Sequence, residues 1–210
     1  MKIIKNFVVF EGLDGSGTTT QLNILESFFL DNRLSLPPFY KTFEPTDGCI
    51  GTIIRSGLRK KEVFCPKTLA LLFAADRNEH IFGPGGIVER CKRGELVVSD
   101  RYVPSSLVYQ GISCGDELPF LLNKDFPGPE LLIFFDINPE TAEKRLAQRE
   151  FKEIYETLNF QIQVRQRYKN LLPKLTDQGT RIEILDASLP PEKIAQKVLE
   201  AVKKMPIFEM

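Results

Sequence analysis

The sequence predicts an α/β protein: a doubly wound, three-layer arrangement in which helices flank five parallel strands through right-handed crossovers. Three observations carry that expectation. Five short apolar runs alternate with segments of helical spacing. The first run, residues 7–10, enters a glycine-rich turn with a helix behind it. Charged and hydroxyl-bearing residues gather just beyond the ends of the runs, where open α/β sheets place their ligands. A length of 210 residues suits one compact domain, with room for a lid.

Each element has its own signal. Residues 7–10 are β-rich and read as a buried central strand. From Gly17 a helix follows, with Leu22, Leu25 and Phe29 forming one apolar stripe. Asp31-Asn32-Arg33 ends it, Pro37-Pro38 marks a loop, and residues 39–43 form a second strand. Glu44-Pro45-Thr46-Asp47-Gly48 is the turn at that strand's end. A short helix over about 50–58 places Ile50, Ile53 and Ile54 inward, with Arg55 near its far end. Pro66 fits the first turn of a long helix through Leu69, Leu72, Phe73, Asp76 and Arg77.

Gly83-Pro84-Gly85-Gly86 breaks the pattern before a short helix to about residue 92. Residues 96–98 make a third strand, ending in Ser99-Asp100-Arg101-Tyr102, and 104–109 continue as helix. Residues 111–129 read as irregular, with a helical piece near 118–123. Residues 131–135 are apolar on both faces, as central parallel strands tend to be. Pro139 opens a helix to Arg149, and a charged segment to about Glu156 separates it from a helix ending near Leu175. Residues 181–185 are the fifth strand and 191–204 the last helix.

Composition narrows the function. Lys plus Arg and Asp plus Glu are both 28, so formal net charge is zero and a broad nucleic-acid or acidic-membrane footprint is not expected. No apolar run approaches the ~20 residues that span a bilayer. The start of the chain enters a strand directly, without signal-peptide character. Four scattered cysteines without a C-x-x-C pair argue against a metal cluster or disulfide framework and for a reducing cytoplasm. His80 is the only histidine, which leaves little for a Ser-His or Cys-His mechanism. The expectation is a cytoplasmic protein that works through phosphate electrostatics.

The turn after the first strand has phosphate-loop spacing, G-x-x-x-x-G-[K]-[ST], from Gly12 to Thr19. Gly12, Gly15 and Gly17 let successive backbone N–H groups face phosphate oxygens, and the helix behind adds its dipole. Thr19 is in register with the hydroxyl that ligates Mg²⁺ in such loops. Thr18 stands where the motif has lysine. The competing reading is a glycine turn that merely joins strand to helix.

Phe10-Glu11-Gly12-Leu13-Asp14-Gly15-Ser16-Gly17 resembles the opening of thymidylate kinases, which transfer phosphate from ATP to dTMP. Three later segments agree in order and spacing. Leu71 to Arg77 resembles the family's deoxynucleotide-binding helix. Ser99-Asp100-Arg101-Tyr102, with Ser105-Ser106 and Tyr109-Gln110-Gly111, resembles its acceptor-phosphate and base segment. Asp136 to Pro139 with Arg145 and Arg149, then Phe160-Gln161 and Arg165 to Tyr168, resembles its lid approach and lid helix.

The resemblance covers nearly the whole chain. It implies a phosphate-loop kinase fold over residues 1–210 with a lid at about 149–159, and a homodimer joined through helix faces. It assigns Gly12, Leu13, Asp14, Gly15, Ser16 and Gly17, with Thr18, Thr19, Thr20 and Arg145, to ATP. Mg²⁺ falls to Thr19 and, through water, Asp100. The dTMP site would comprise Asp14, Glu44, Arg55, Phe73, Arg77, Arg101, Ser106 and Gln110, with Asp14, Arg101 and Arg149 nearest the chemistry.

The residues themselves fit such roles. Phe73 and Arg77 lie four apart, an apolar plane and a forked cation on one helix face, suited to a base and its carbonyl edge. Gln110 is a neutral amide suited to the same edge. The Arg101 guanidinium matches phosphate oxygens; by resemblance it and Arg55 grip the acceptor phosphate. Asp14 pays an electrostatic cost beside polyphosphate, which points to a task; the family's answer is the sugar 3′-hydroxyl. Plainer alternatives stand beside each: Phe73 in the core, Gln110 in an ordinary loop, Arg101 paired with Asp100, Asp14 solvated, Glu44-Pro45 a bare turn.

Three positions depart from the family. Thr18 replaces the loop lysine, Phe43 and Thr46-Asp47-Gly48 alter its Arg-Glu-Pro-Gly-Gly-Thr turn, and Ile154 sits where the lid often supplies arginine. A charge-assisted hydrogen bond is worth roughly 1.5–3 kcal/mol, about ten- to a hundredfold in rate. Loss of the lysine therefore predicts a slowed enzyme, or compensation from Arg145, Arg149 or Lys152. The second reading is a catalytically weak nucleotide-binding protein used for sensing or assembly. A GTPase or motor is a third, disfavoured because no N-K-x-D-type motif is present.

Overall fold

A computed structural model describes residues 2–147 and 154–208. Five parallel strands form one sheet in the order β2-β3-β1-β4-β5: β1 Ile3–Gly12, β2 Phe39–Phe43, β3 Leu96–Asp100, β4 Gly128–Asp136 and β5 Arg181–Asp186. The doubly wound α/β expectation is borne out. β1 lies at the centre, and alternation of its side chains ties the layers together. Val8 and Phe10 join one apolar core with Leu22, Leu25 and Phe29, whereas Phe7 and Val9 join another with Ile81, Ile87 and Val97. All four β1 side chains are fully buried, each worth roughly 1.5–3 kcal/mol of gross burial. Strand order changes direction beside β1, so the loop that follows it opens at the crevice where such sheets bind ligands.

The helices are α1 Thr18–Asp31, α2 Cys49–Leu58, α3 Pro66–Phe82, α4 Ile87–Lys92, α5 Val103–Cys114, α6 Glu117–Asn123, α7 Pro139–Leu146, α8 Leu158–Asp177 and α9 Pro191–Lys203. Among the described residues, none is long and apolar enough to cross a membrane. The region expected to be irregular from 111 is more ordered than its glycines suggested. α5 runs through Gly111 to Cys114 and stops before Gly115, whose φ is +86°. Gly111 serves closeness rather than a turn: a Cβ there would push aside the ends of the Asp116 and Arg167 side chains. β1 is longer than expected because the register shift between Ile4 and Val8 absorbs Lys5 and Asn6. Asn6 takes a φ of +63° there, its N–H donating to Glu130. α8 begins on a Thr157 side-chain cap and continues past Pro173. The expected end of α7 at Arg149 lies outside the described residues.

Candidate active site

Two cavities open along the carboxyl edge of β1 and β3. The larger, about 450 Å³, is lined by Leu13 through Gln21, Asp100, Arg101, Arg145, Leu146 and a wall of Leu189, Pro191 and Ile194. Every residue from 13 to 20 assigned to ATP by sequence therefore lines one space, and Gly12 supports it from the end of β1. The loop's shape depends on glycine in two places. Gly17 caps α1 in the left-handed region; Gly15 combines a φ of +82° with so close an approach to α7 that a Cβ would lie 2.8 Å from Ala142 O.

Charge is sparse in this half. Thr18 is buried at 7% exposure and brings only a hydroxyl. Arg145 is exposed and donates to Ala187 O at 3.0 Å, with a longer 3.5 Å approach to Gly15 O. Thr19 Oγ1 donates to Asp100 Oδ2 at 2.5 Å, and Asp100 Oδ1 is buried without a partner. A hydroxyl and a carboxylate with a spare oxygen are hard donors that fit Mg²⁺, which keeps waters and shares its shell with phosphates. Among the described residues, no group of three or more His, Cys, Asp or Glu is placed to hold a metal ion.

The second cavity, about 90 Å³, lies on the far side of Arg101. It is lined by Asp14, Glu44, Pro45, Leu58, Phe73, Arg77, Arg101, Tyr102, Ser105, Ser106, Tyr109, Gln110 and Tyr155. Asp14 and Arg101 line both spaces. Their ion pair is 2.6 Å long, and Arg101 also donates to Gly12 O and Ser105 Oγ. The second Asp14 oxygen accepts from Tyr109 Oη at 3.1 Å and Gln161 Nε2 at 2.8 Å. Asp14 is thus paired rather than free in solvent: one cation and two neutral donors satisfy its two oxygens. The Arg101–Asp100 pairing considered from sequence gives way to this one, and Thr19 engages Asp100 instead.

Arg101 holds a φ of +74°, unusual for a residue with a Cβ. Three bonds pin it: its N–H to Phe10 O at 2.9 Å, its carbonyl from Ser99 Oγ, and the next N–H, of Tyr102, to Glu11 Oε1 at 2.9 Å. Glu11 also accepts from Ser105 Oγ and Tyr168 Oη, each at 2.7 Å. It is fully buried, and burial pushes its carboxyl up to about 7 against the opposing pull of Arg101 and those hydrogen bonds. Sequence reasoning assigned Glu11 no role, yet an acid inside an apolar strand was the available signal.

One wall of this cavity rests on α3. Arg77 is 1% exposed, donates from Nε to Glu44 at 2.8 Å, from Nη2 to Ser106 Oγ at 3.0 Å, and from Nη1 to Asn123. His80 bridges Glu44 and Thr42. Asp76 accepts from both the N–H and the hydroxyl of Thr46 at 2.7 Å, so the altered turn is anchored through the residue that makes it unusual. Phe73 joins Arg77 on the cavity wall, as their spacing predicted. Gln110 is 2% exposed, on the cavity wall beside Tyr155, with Oε1 buried and unpartnered. Arg55 does not line the cavity: it donates to Pro45 O at 2.7 Å and pairs with Asp47 at 3.0 Å.

The roof comes from residues 154–161, which lead into and open α8. Tyr155 stacks on Phe160 at 4.9 Å and meets Tyr109 edge-on at 5.5 Å, while Gln161 joins Tyr155 O to Asp14. Ile154, one of the three positions that depart from the family pattern, donates its N–H to Leu58 O. Arg149 and Lys152 lie outside the described residues. The wall residues Gln21, Leu189, Pro191 and Ile194 escaped the sequence reading, because nothing local marks a helix start as the side of a cavity.

The thymidylate kinase family model matches residues 10–198. The chain belongs to the thymidylate kinase family. A relative named for thymidylate kinase in Treponema pallidum (strain Nichols) is 40% identical over 207 residues, covering 97% of this chain and 98% of its own length. A "Probable thymidylate kinase" of Pyrobaculum aerophilum is 38% identical over 97% of this chain and 99% of its own. Another, of Methanococcus maripaludis, is 39% identical over 95% and 96% respectively. Membership of this family agrees with the two-cavity cleft.

Proposed function

We propose that this chain transfers the γ-phosphate of ATP to dTMP, giving dTDP, within one domain whose lid spans about 149–159. The observation that carries the reading is that the two cavities share Asp14 and Arg101. A donor polyphosphate on the loop amides and an acceptor phosphate beside Arg101 would meet there for in-line attack, without a covalent enzyme intermediate. Asp14 orients the acceptor sugar and holds Arg101 in place; Arg55, beside Pro45, supports the acceptor phosphate. Phe73 flanks the base. Gln110 Oε1 accepts its N3–H, and Arg77, positioned by Glu44 and Ser106, serves the O4 edge. Arg145 and Arg149 supply charge from the lid approach. Thr19 and Asp100 hold Mg²⁺, which when bound neutralises charge on the phosphates.

A cytosolic homodimer completes the proposal. All four cysteines are free thiols. Exposed Ile53, Leu71, Phe82, Phe120 and Leu121 lie on α2, α3 and α6, with α3 packed against both of the others.

ADP release with dTMP, dUMP, dGMP and dCMP tests the reading. dCMP, with an amino group at Arg77 and a bare N3 at Gln110, is expected at least a hundredfold below dTMP. dUMP lacks one methyl, a difference of about fourfold. No ADP release above background with any acceptor, at high enzyme concentration, would leave only a nucleotide-binding protein.

A further inference from the structure

Gln21 sits in the first turn of α1, 3% exposed, on the wall of the donor cavity. Its Nε2 donates to Pro191 O at 3.0 Å. A backbone carbonyl only accepts, so this bond decides which way round the amide lies and leaves Oε1 as a positioned acceptor. Oε1 is buried and has no partner. An acceptor shut away from water and unpaired is costly, and such atoms normally mark a ligand or trapped water. The other two orphan side-chain oxygens of this cavity belong to the phosphate end: Ser16 lies within the loop and Asp100 beside Thr19. Gln21 instead is tied to the start of α9, where Leu189, Pro191 and Ile194 make an apolar wall suited to a flat base and Arg145 offers a guanidinium plane.

We infer that Gln21 Oε1 accepts a hydrogen bond from the exocyclic amino group of the donor base, making Gln21 a specificity-determining residue for adenine nucleotides. The inference rests on the donor assignment proposed above. A fixed acceptor pairs with the 6-amino group of adenine and opposes the 6-carbonyl of guanine, whose oxygen cannot donate. The same amide joins α1 to α9, so base recognition and the shape of the slot depend on one side chain.

The test varies the ligand as well as the residue. kcat/KM is measured for ATP, GTP and purine riboside 5′-triphosphate, which is ATP without the amino group, on the wild type, Gln21→Met and Gln21→Glu. The dissociation constants of ADP and purine riboside 5′-diphosphate are measured without acceptor. The wild type is expected to prefer the amino-bearing nucleotide about tenfold in both readouts, one hydrogen bond's worth. Gln21→Met should reduce that preference to about one to twofold and raise GTP relative to ATP. Gln21→Glu, which keeps an acceptor but gives up the Pro191 bond, should retain the preference. A wild-type ratio near one would mean that a trapped water satisfies Oε1, and would overturn the inference. So would a tenfold ratio surviving in Gln21→Met, or an equal loss for both nucleotides, the signature of a purely structural tie. Absence of turnover would count against the kinase reading alone, because the diphosphate affinities are read without it.

Discussion

The acceptor half of the cleft is closed electrostatically, and the donor half is open. In the first, Arg77, Glu44 and His80 satisfy one another at 9% side-chain exposure or less, Arg101 and Asp14 are locked at 2.6 Å, and one neutral acceptor, Gln110 Oε1, is left unpaired. In the second, Asp100 Oδ1, Ser16 Oγ and Gln21 Oε1 are buried without partners, and Arg145 rests on backbone carbonyls. The difference teaches that the acceptor site is preorganised by its own charges. The proposed donor site is a backbone cradle that leaves those polar groups unpaired. Damage to the acceptor side should therefore cost stability together with activity, and damage to the donor side activity alone.

The strongest way to break that contrast is Arg77→Ala. It takes the cation from buried Glu44 and leaves it the His80 ring, and the expected loss is roughly 3–5 kcal/mol in urea unfolding, with dTMP turnover abolished. A normal unfolding midpoint would show that the Arg77 network is not structural. Glu11 comes next. Its carboxyl is held at about 7 in the folded chain against a reference value of 4.5, so between those values the folded state keeps a proton that the unfolded state has lost. This contribution is complete below about pH 4.5 and disappears as pH rises through about 7, on the order of 3 kcal/mol in all. Glu11→Gln should flatten that part of the pH–stability curve; an unchanged slope would assign it to other groups.

On the donor side, Thr18→Lys restores the missing cation. A rise in kcat of about ten- to a hundredfold is expected, with the KM for dTMP and the unfolding midpoint nearly unchanged. A large shift in midpoint would mean that Thr18 is packed for stability, contrary to the open donor half. The smallest effect sharpens the boundary between the halves. Gln161→Ala removes one neutral donor from Asp14 and unlinks α8 from the loop, for about a tenfold loss in kcat and ~1 kcal/mol in stability. Equal loss in Gln161→Ala and Asp14→Ala would place both in one unit.

Much of this was readable from the chain because it is local. The alternation of Phe7 to Phe10, the spacing of Phe73 and Arg77, and the glycines that allow the loop its turns depend on periods and φ angles that a few neighbouring residues set. Arg55 shows the limit. Its place on a short helix was correct, but whether its guanidinium reaches the cavity depends on Asp47 and Pro45, and those hold it beside the wall. Gly111 shows another: a glycine read as a break is a mid-helix close approach, and that depends on α8.

The sequence by itself determined the alternation of strand and helix, the phosphate loop and its missing lysine, and the set of side chains from which a two-nucleotide cleft could be built. Only the tertiary structure decided who partners whom. Asp14 meets Arg101 across 87 positions and Gln161 across 147, Glu11 meets Tyr168 across 157, and Gln21 meets Pro191 across 170. Such pairings follow from how the strand ends line up along the sheet and how α8 and α9 close over them. A buried charge takes whichever partner that packing brings within about 3 Å, and no local pattern encodes the choice.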